Sequence, residues 1–144
     1  MSYIKSLYVS ALMALMMSPA VGADNGPIKI GILNDQSGPY VAIDGPTSVD
    51  AARMAVEDFG GTLLGRKIEV VSADHQNKAD IGATIARKWL DVDGVTAIVD
   101  VAVSSVAFAV QELARERNKI VIYSGAGSSD LTGKACSPPS VHWT

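Results

Sequence analysis

Two serines occupy the most chemically suggestive place in the chain. Ser104 and Ser105 lie in Val101 to Val106 (VAVSSV), where an apolar run closing on Asp100 gives way to helical periodicity. The first N–H groups of a helix have no acceptor within it, and the helix dipole adds partial positive charge, so the place suits an anion. A serine there also serves as a helix cap, and cap and ligand clamp are compatible roles. A second candidate is Ser124 to Ser129 (SGAGSS), in which Gly125 and Gly127 let a ligand approach the backbone closely. It begins like a glycine-rich nucleotide loop, but it follows the fourth apolar run, lacks the third glycine and opens no long helix. Nucleotide binding is therefore not expected. The third is Asn34 to Tyr40 (NDQSGPY), the polar turn after the first run.

Catalytic constellations are missing from the sequence. No G-x-S-x-G elbow follows a strand. His75 and His142 are far apart, and a hydrolase would need a nucleophile–base pair that the serines do not find here. Asp35, Asp74 and Asp100 each close an apolar run, as in phosphoryl-accepting receiver domains, yet the lysine those domains need has no counterpart. Strand-ending aspartates are read as turn formers. A single cysteine, Cys136, excludes an internal disulfide framework and a cysteine-based zinc cage. It is either free or partnered by a cysteine outside this sequence. No enzymatic activity, metal or cofactor is expected.

The scaffold for these loops is 144 residues long, 48% hydrophobic and 19% charged, which suits one domain with an aliphatic core. Lys+Arg number 12 against 15 Asp+Glu, for a net charge of −3, and no basic run occurs. A nucleic-acid surface would show a basic patch, so none is expected. Residues 1–23 read as a secretory signal peptide. Lys5 forms the basic start, Leu7 to Met17 the apolar stretch, and Val21-Gly22-Ala23 the small-residue site, with cleavage expected between Ala23 and Asp24. No cysteine follows the apolar stretch, so a lipoprotein anchor is not expected, and no segment reaches the length of about 20 apolar residues that spans a bilayer.

From Ile28 onward the pattern alternates. Ile28 to Leu33, Ile68 to Ser72, Ala97 to Asp100 and Ile120 to Tyr123 are short Ile/Val-rich runs bounded by polar or glycine-containing segments, as in parallel strands buried on both faces. Helical spacing lies between them. Val49, Ala52, Val56 and Phe59 form one buried stripe that ends at Gly60-Gly61. A second helix, Lys78 to Asp93, buries Ile81, Ile85 and Trp89, with Ala86 and Leu90 alongside and Gly94 as its stop. A third, opening at Ser104 or Ser105, buries Val106, Val110 and Leu113 and leaves Arg115, Glu116 and Arg117 solvated. Alternation of this kind predicts an α/β fold, a doubly wound parallel sheet covered on both faces. With the common strand order 2-1-3-4, ligands bind where the order reverses, between the loops after strands one and three. The Gly-, Ser- and Pro-rich tail after Tyr123 leads into what reads as another strand at Thr144, so a longer parent chain is expected.

The stretches IKIGILNDQSGPYVAIDGPTSVDAARMAVED, GGTLLGRKIEVVSADHQNKAD, DGVTAIVDVAVSSVAFAV and YSGAGSSDLTG together resemble the bacterial periplasmic leucine/isoleucine/valine-binding protein family, the type I solute receptors of ABC importers. The similarity is colinear from about Pro27 to Thr144. It implies the N-terminal part of the first lobe (residues 24–144) of a two-lobed periplasmic receptor. Such a receptor closes over a small solute, an amino acid or organic carboxylate, and docks on an inner-membrane ABC permease. It further implies that Ser104 and Ser105, with Gly125, Ala126, Gly127 and Ser128, hold the ligand carboxylate. Gln36 to Tyr40, and onward to Ile43, would flank its side chain. Where amino-acid-binding members commonly carry a hydroxyl residue, this chain has Gly127, with Ser128 beside it. The cysteine pair of some members is absent: Asp74-His75-Gln76 and Val103 stand in that neighbourhood. A sensor ectodomain with the same fold is the alternative.

Overall fold

The computed structural model describes residues 26–143, so the expected signal peptide lies outside the described residues. The Ile/Val runs form the centre of the sheet. These strands are β1 (Ile28–Asn34), β3 (Arg66–Asp74), β4 (Val95–Val99) and β5 (Ile120–Tyr123), all parallel, with β1 between β3 and β4. The register sets Ile30 beside Val70 and Ala97. This is the predicted reversal, 2-1-3-4 in the numbering of the four runs. Two strands extend it: β2 (Thr62–Leu63) pairs antiparallel with β3, and β6 (Ser140–His142) adds in parallel to β5, as the tail suggested.

Among the described residues four α-helices cover the sheet: α1 (Val41–Asp44), α2 (Pro46–Asp58), α3 (Ala79–Lys88) and α4 (Ser104–Glu116). The main core lies under α3 and α4, where Leu33, Trp89, Val95, Ile98, Val106, Val110 and Tyr123 pack together. On α4, Val106, Val110 and Leu113 are buried as the spacing requires. Arg115 and Glu116 are exposed, but Arg117 is half-buried, because its guanidinium makes a two-pronged pair with Asp91 at 2.5 and 2.9 Å. The second predicted helix runs to Asp93 as read, but its last turn, Trp89–Asp93, is π-helical. That wider turn carries Trp89 and Leu90 into the core while Ile81 and Ile85 stay half-buried. Gly94 stops the helix at φ 71°, a conformation that costs glycine little.

The α2 stripe departs from expectation. Val49 is buried and Ala52 and Val56 are half-buried, but Phe59 is 61% exposed. Period 3.6 tells which residues share a face, not how much of that face a neighbour covers. Here an apolar groove bordered by Ile30, Val56, Phe59, Val70 and Val99 stays open between α2 and the sheet.

Tyr123 joins the core to the chain's last strand. It is fully buried, and burial pushes its hydroxyl up to about 12, partly offset by the bond to Ser140. The hydroxyl donates to Gln111 Oε1 at 3.2 Å and lies 3.1 Å from Ser140 Oγ. Tyr123→Phe is expected to cost about 1–2 kcal/mol in urea unfolding, because Gln111 Oε1 loses its donor. Cys136 is exposed and forms no disulfide among the described residues. No described helix is long and apolar enough to cross a membrane.

Candidate functional site

The loop after β1 is shaped by its own aspartate. Asp35 accepts the N–H groups of Gly38 at 2.8 Å and Tyr40 at 2.9 Å, which bends the chain into α1, a short helix that the sequence did not announce. A Cβ at Gly38 would lie 2.4 Å from Asp35 Oδ1, so the SGP glycine is a steric requirement. Asp74 does the same for the end of β3, accepting the N–H groups of Gln36 (2.9 Å) and Gln76 (2.8 Å) and the Ser37 hydroxyl (2.5 Å). Burial raises that carboxylate, but these donors outweigh it and hold its pKa below the usual range. Asp35 and Asp74 are thus turn formers, whereas Asp100 accepts from the side chains of Asn34 and Ser124.

Beyond the ends of β1, β4 and β5 these loops enclose a cavity of about 480 Å³. Ser104 and Ser105 line it together with Gly125 and Gly127, facing Tyr40 and Ile43 across the opening. Asp44, Asn77, Ala102 and Val103 complete the wall. The other predicted site residues stand behind or beside it. Ser128 donates its N–H to Ser104 Oγ at 3.2 Å. Ala126 is fully buried, and its carbonyl meets a ring nitrogen of His142. Gln36 donates through Nε2 to Asn34 Oδ1 at 3.0 Å.

Neither serine caps α4. The N-cap is Val103, in extended conformation and without a side-chain bond, so Ser104 and Ser105 are the first helical residues. The first N–H to find an acceptor is that of Ala107, bonded to the Val103 carbonyl at 2.8 Å. The N–H groups of Ser104, Ser105 and Val106 are left pointing along the dipole, the arrangement that binds anions. Because Ser104 Oγ already accepts from Ser128, its own proton remains available for a ligand.

No lysine or arginine lines the cavity, so helix dipole and amides supply its positive potential. Two buried titratable groups beneath it, Asp44 and His75, are shifted toward their neutral forms. Asp44, 3% exposed, is pushed up to about 8 by burial and by the nearby Asp100 and Asp35 carboxylates. His75, fully buried, is lowered by burial, against the opposing pull of Asp35 and Asp74, and its Nδ1 accepts the Asn77 N–H at 3.0 Å. Both are therefore uncharged near neutrality. Sequence reasoning missed Asp44 and Asn77. Asn77 has a left-handed backbone at φ 55°, and Asp44 carries no local signal beyond being an acid in an apolar stretch. Among the described residues, no group of three or more His, Cys, Asp or Glu side chains is placed to hold a metal ion.

Residues 27–144 match the family described as "Periplasmic binding protein". A "Leu/Ile/Val-binding protein homolog 4" of Brucella abortus is 31% identical, over 88% of this chain and 32% of its own length. A crystal structure of a periplasmic binding protein from Burkholderia mallei is 46% identical with a TM-score of 0.78, over 81% of this chain and 31% of that one. An ABC-transporter solute-binding protein from Rhodopseudomonas palustris, solved with 3,4-dihydroxybenzoic acid, is 26% identical with a TM-score of 0.72 over 81% and 31%. The chain spans about a third of the length of each of these relatives. With its strand order, its reversal point and its helix-terminus cavity, the chain belongs to the periplasmic binding protein family, in the type I form shared with the leucine/isoleucine/valine-binding proteins.

Proposed function

We propose that this chain forms part of the solute-binding component of an ABC importer, and that it captures a small organic carboxylate without transforming it. The observation that carries the reading is the pair of unpaired N–H groups at Ser104 and Ser105, on the wall of a cavity edged by Gly125 and Gly127. A carboxylate there accepts from the amides and from the Ser104 hydroxyl, and charge-assisted bonds of this kind are the stronger ones. Tyr40 and Ile43, both exposed across the cavity, offer apolar surface to the rest of the solute. The names of the relatives, a Leu/Ile/Val-binding homologue and a dihydroxybenzoate-bound receptor, support a branched aliphatic or aromatic carboxylate. In this reading the signal peptide, residues 1–23, is removed between Ala23 and Asp24. A second lobe outside this sequence closes over the solute in the periplasm and excludes water, and an inner-membrane permease receives it.

Calorimetric titration with 4-methylpentanoate and benzoate, each beside its neutral amide, tests the proposal. At least one carboxylate is expected to bind about tenfold or more tighter than its amide, the worth of one charge-assisted bond. Equal binding of acid and amide would remove the anion clamp.

A further inference from the structure

Asp44, at the end of α1, has a hydrogen-bonding deficit. Its Oδ2 accepts the Asp35 N–H at 3.4 Å, and its buried Oδ1 has no donor. The neighbouring donors are committed elsewhere. Asn34 Nδ2 serves the Gly45 carbonyl at 3.0 Å and Asp100 Oδ2 at 3.1 Å, while the Ser124 hydroxyl donates to Asp100 Oδ1 at 2.5 Å. Asp100 thus accepts on both oxygens, as an ionised carboxylate does, and it lies within hydrogen-bonding reach of Asp44. A buried carboxyl oxygen with no donor is satisfied when it carries the proton itself. The charged and titratable groups around the pair are Asp35 from the loop after β1, Asp100 from the end of β4, and His75 and Asp74 from the end of β3, with Tyr40 on the cavity wall. None of them is a lysine or arginine that could neutralise a second carboxylate.

We infer that Asp44 holds a proton that it donates to Asp100, and that solute capture is linked to this proton, so that an anion at Ser104 and Ser105 retains it and its loss opposes the anion. The second half rests on the carboxylate reading above. Burial and the two neighbouring carboxylates, which push Asp44 up to about 8, agree with the geometry. The sign follows directly. Below that pH Asp44 is neutral and affinity is flat; above it, ionised Asp44 repels the bound anion, so binding takes up a proton and weakens. An asparagine at 44 can still donate to Asp100 but cannot titrate.

The test uses benzoate and 4-methylpentanoate, which stay ionised throughout the range, together with carbon-13 NMR of aspartate carboxyls. In the wild type, Kd is expected to be flat near pH 7 and to rise by up to about tenfold per pH unit above pH 8, the signature of one linked proton. In Asp44→Asn the rise should vanish, and so should one aspartate resonance titrating near 8. Asp100→Asn, a second variant, should move that titration downward. A flat wild-type Kd, or the same rise in Asp44→Asn, would overturn the linkage while leaving the carboxylate reading intact. If neither anion binds at any pH but the high titration is present and lost in Asp44→Asn, the carboxylate reading falls and the shared proton stands. If no aspartate titrates above about pH 6, the shared proton itself is wrong.

Discussion

Trp89→Ala is expected to cost the fold about 3–5 kcal/mol, the usual range for deleting a large buried aromatic. The indole is 7% exposed and lies against the backbone of the central strand: a Cβ added at Gly31 would sit 2.5 and 2.6 Å from Trp89 Cζ3 and Cε3. No side chain shifted from β1 can refill the space, because Gly31 has none. The cavity would open beside the strand that pairs with both β3 and β4. A domain of this size has only about 5–15 kcal/mol of stability in total, so the variant should be partly unfolded at 37 °C. Urea unfolding followed by far-UV circular dichroism measures the loss. A change below about 1 kcal/mol would mean that the ring is a surface cover and not a core member. The converse substitution, Gly31→Ala, should also destabilise, by overlap with the same ring.

The strand order and its reversal were legible in the sequence because each Ile/Val run is short, bounded, and separated from the next by a helical stretch. Where the reading failed, the cause is tertiary or conformational. The short helix α1 exists because Asp35 folds back on Gly38 and Tyr40, a side-chain event that periodicity does not encode. Phe59 shares the right face of α2 but finds no neighbour to cover it. The serines of α4 looked like caps by residue type. The backbone turns helical one position earlier than a cap allows, since Val103 at φ −97°, ψ 119° takes the cap position. Six of the eight predicted site residues either line the cavity or bond directly to a residue that does: Ser104, Ser105, Gly125, Gly127, Tyr40 and, through Ser104, Ser128. The buried acid beneath them was invisible, because an aspartate's burial depends on the ends of β1 and β4 meeting.

Ser104→Ala should then separate recognition from folding more sharply than any other change. Removing a neutral donor to a bound carboxylate typically costs about 1.5–3 kcal/mol, so affinity for the preferred solute should fall about 10- to 100-fold. The fold should tolerate the change, because Ser104 is not a cap and alanine is the better helix former at a first-turn position. Only the Ser128 N–H loses its acceptor, on a half-buried loop. Ser105→Ala removes a hydroxyl that is exposed and has no hydrogen-bond partner among the described residues, and its amide N–H survives the substitution. Its effect should therefore be several-fold smaller. Calorimetry on both variants, beside their unfolding curves, distinguishes two roles for Ser104. A loss of affinity without a loss of stability identifies a hydroxyl that reaches the solute. A loss of stability with unchanged affinity makes Ser104 a staple between α4 and the loop after β5, and leaves anion binding to the backbone amides alone.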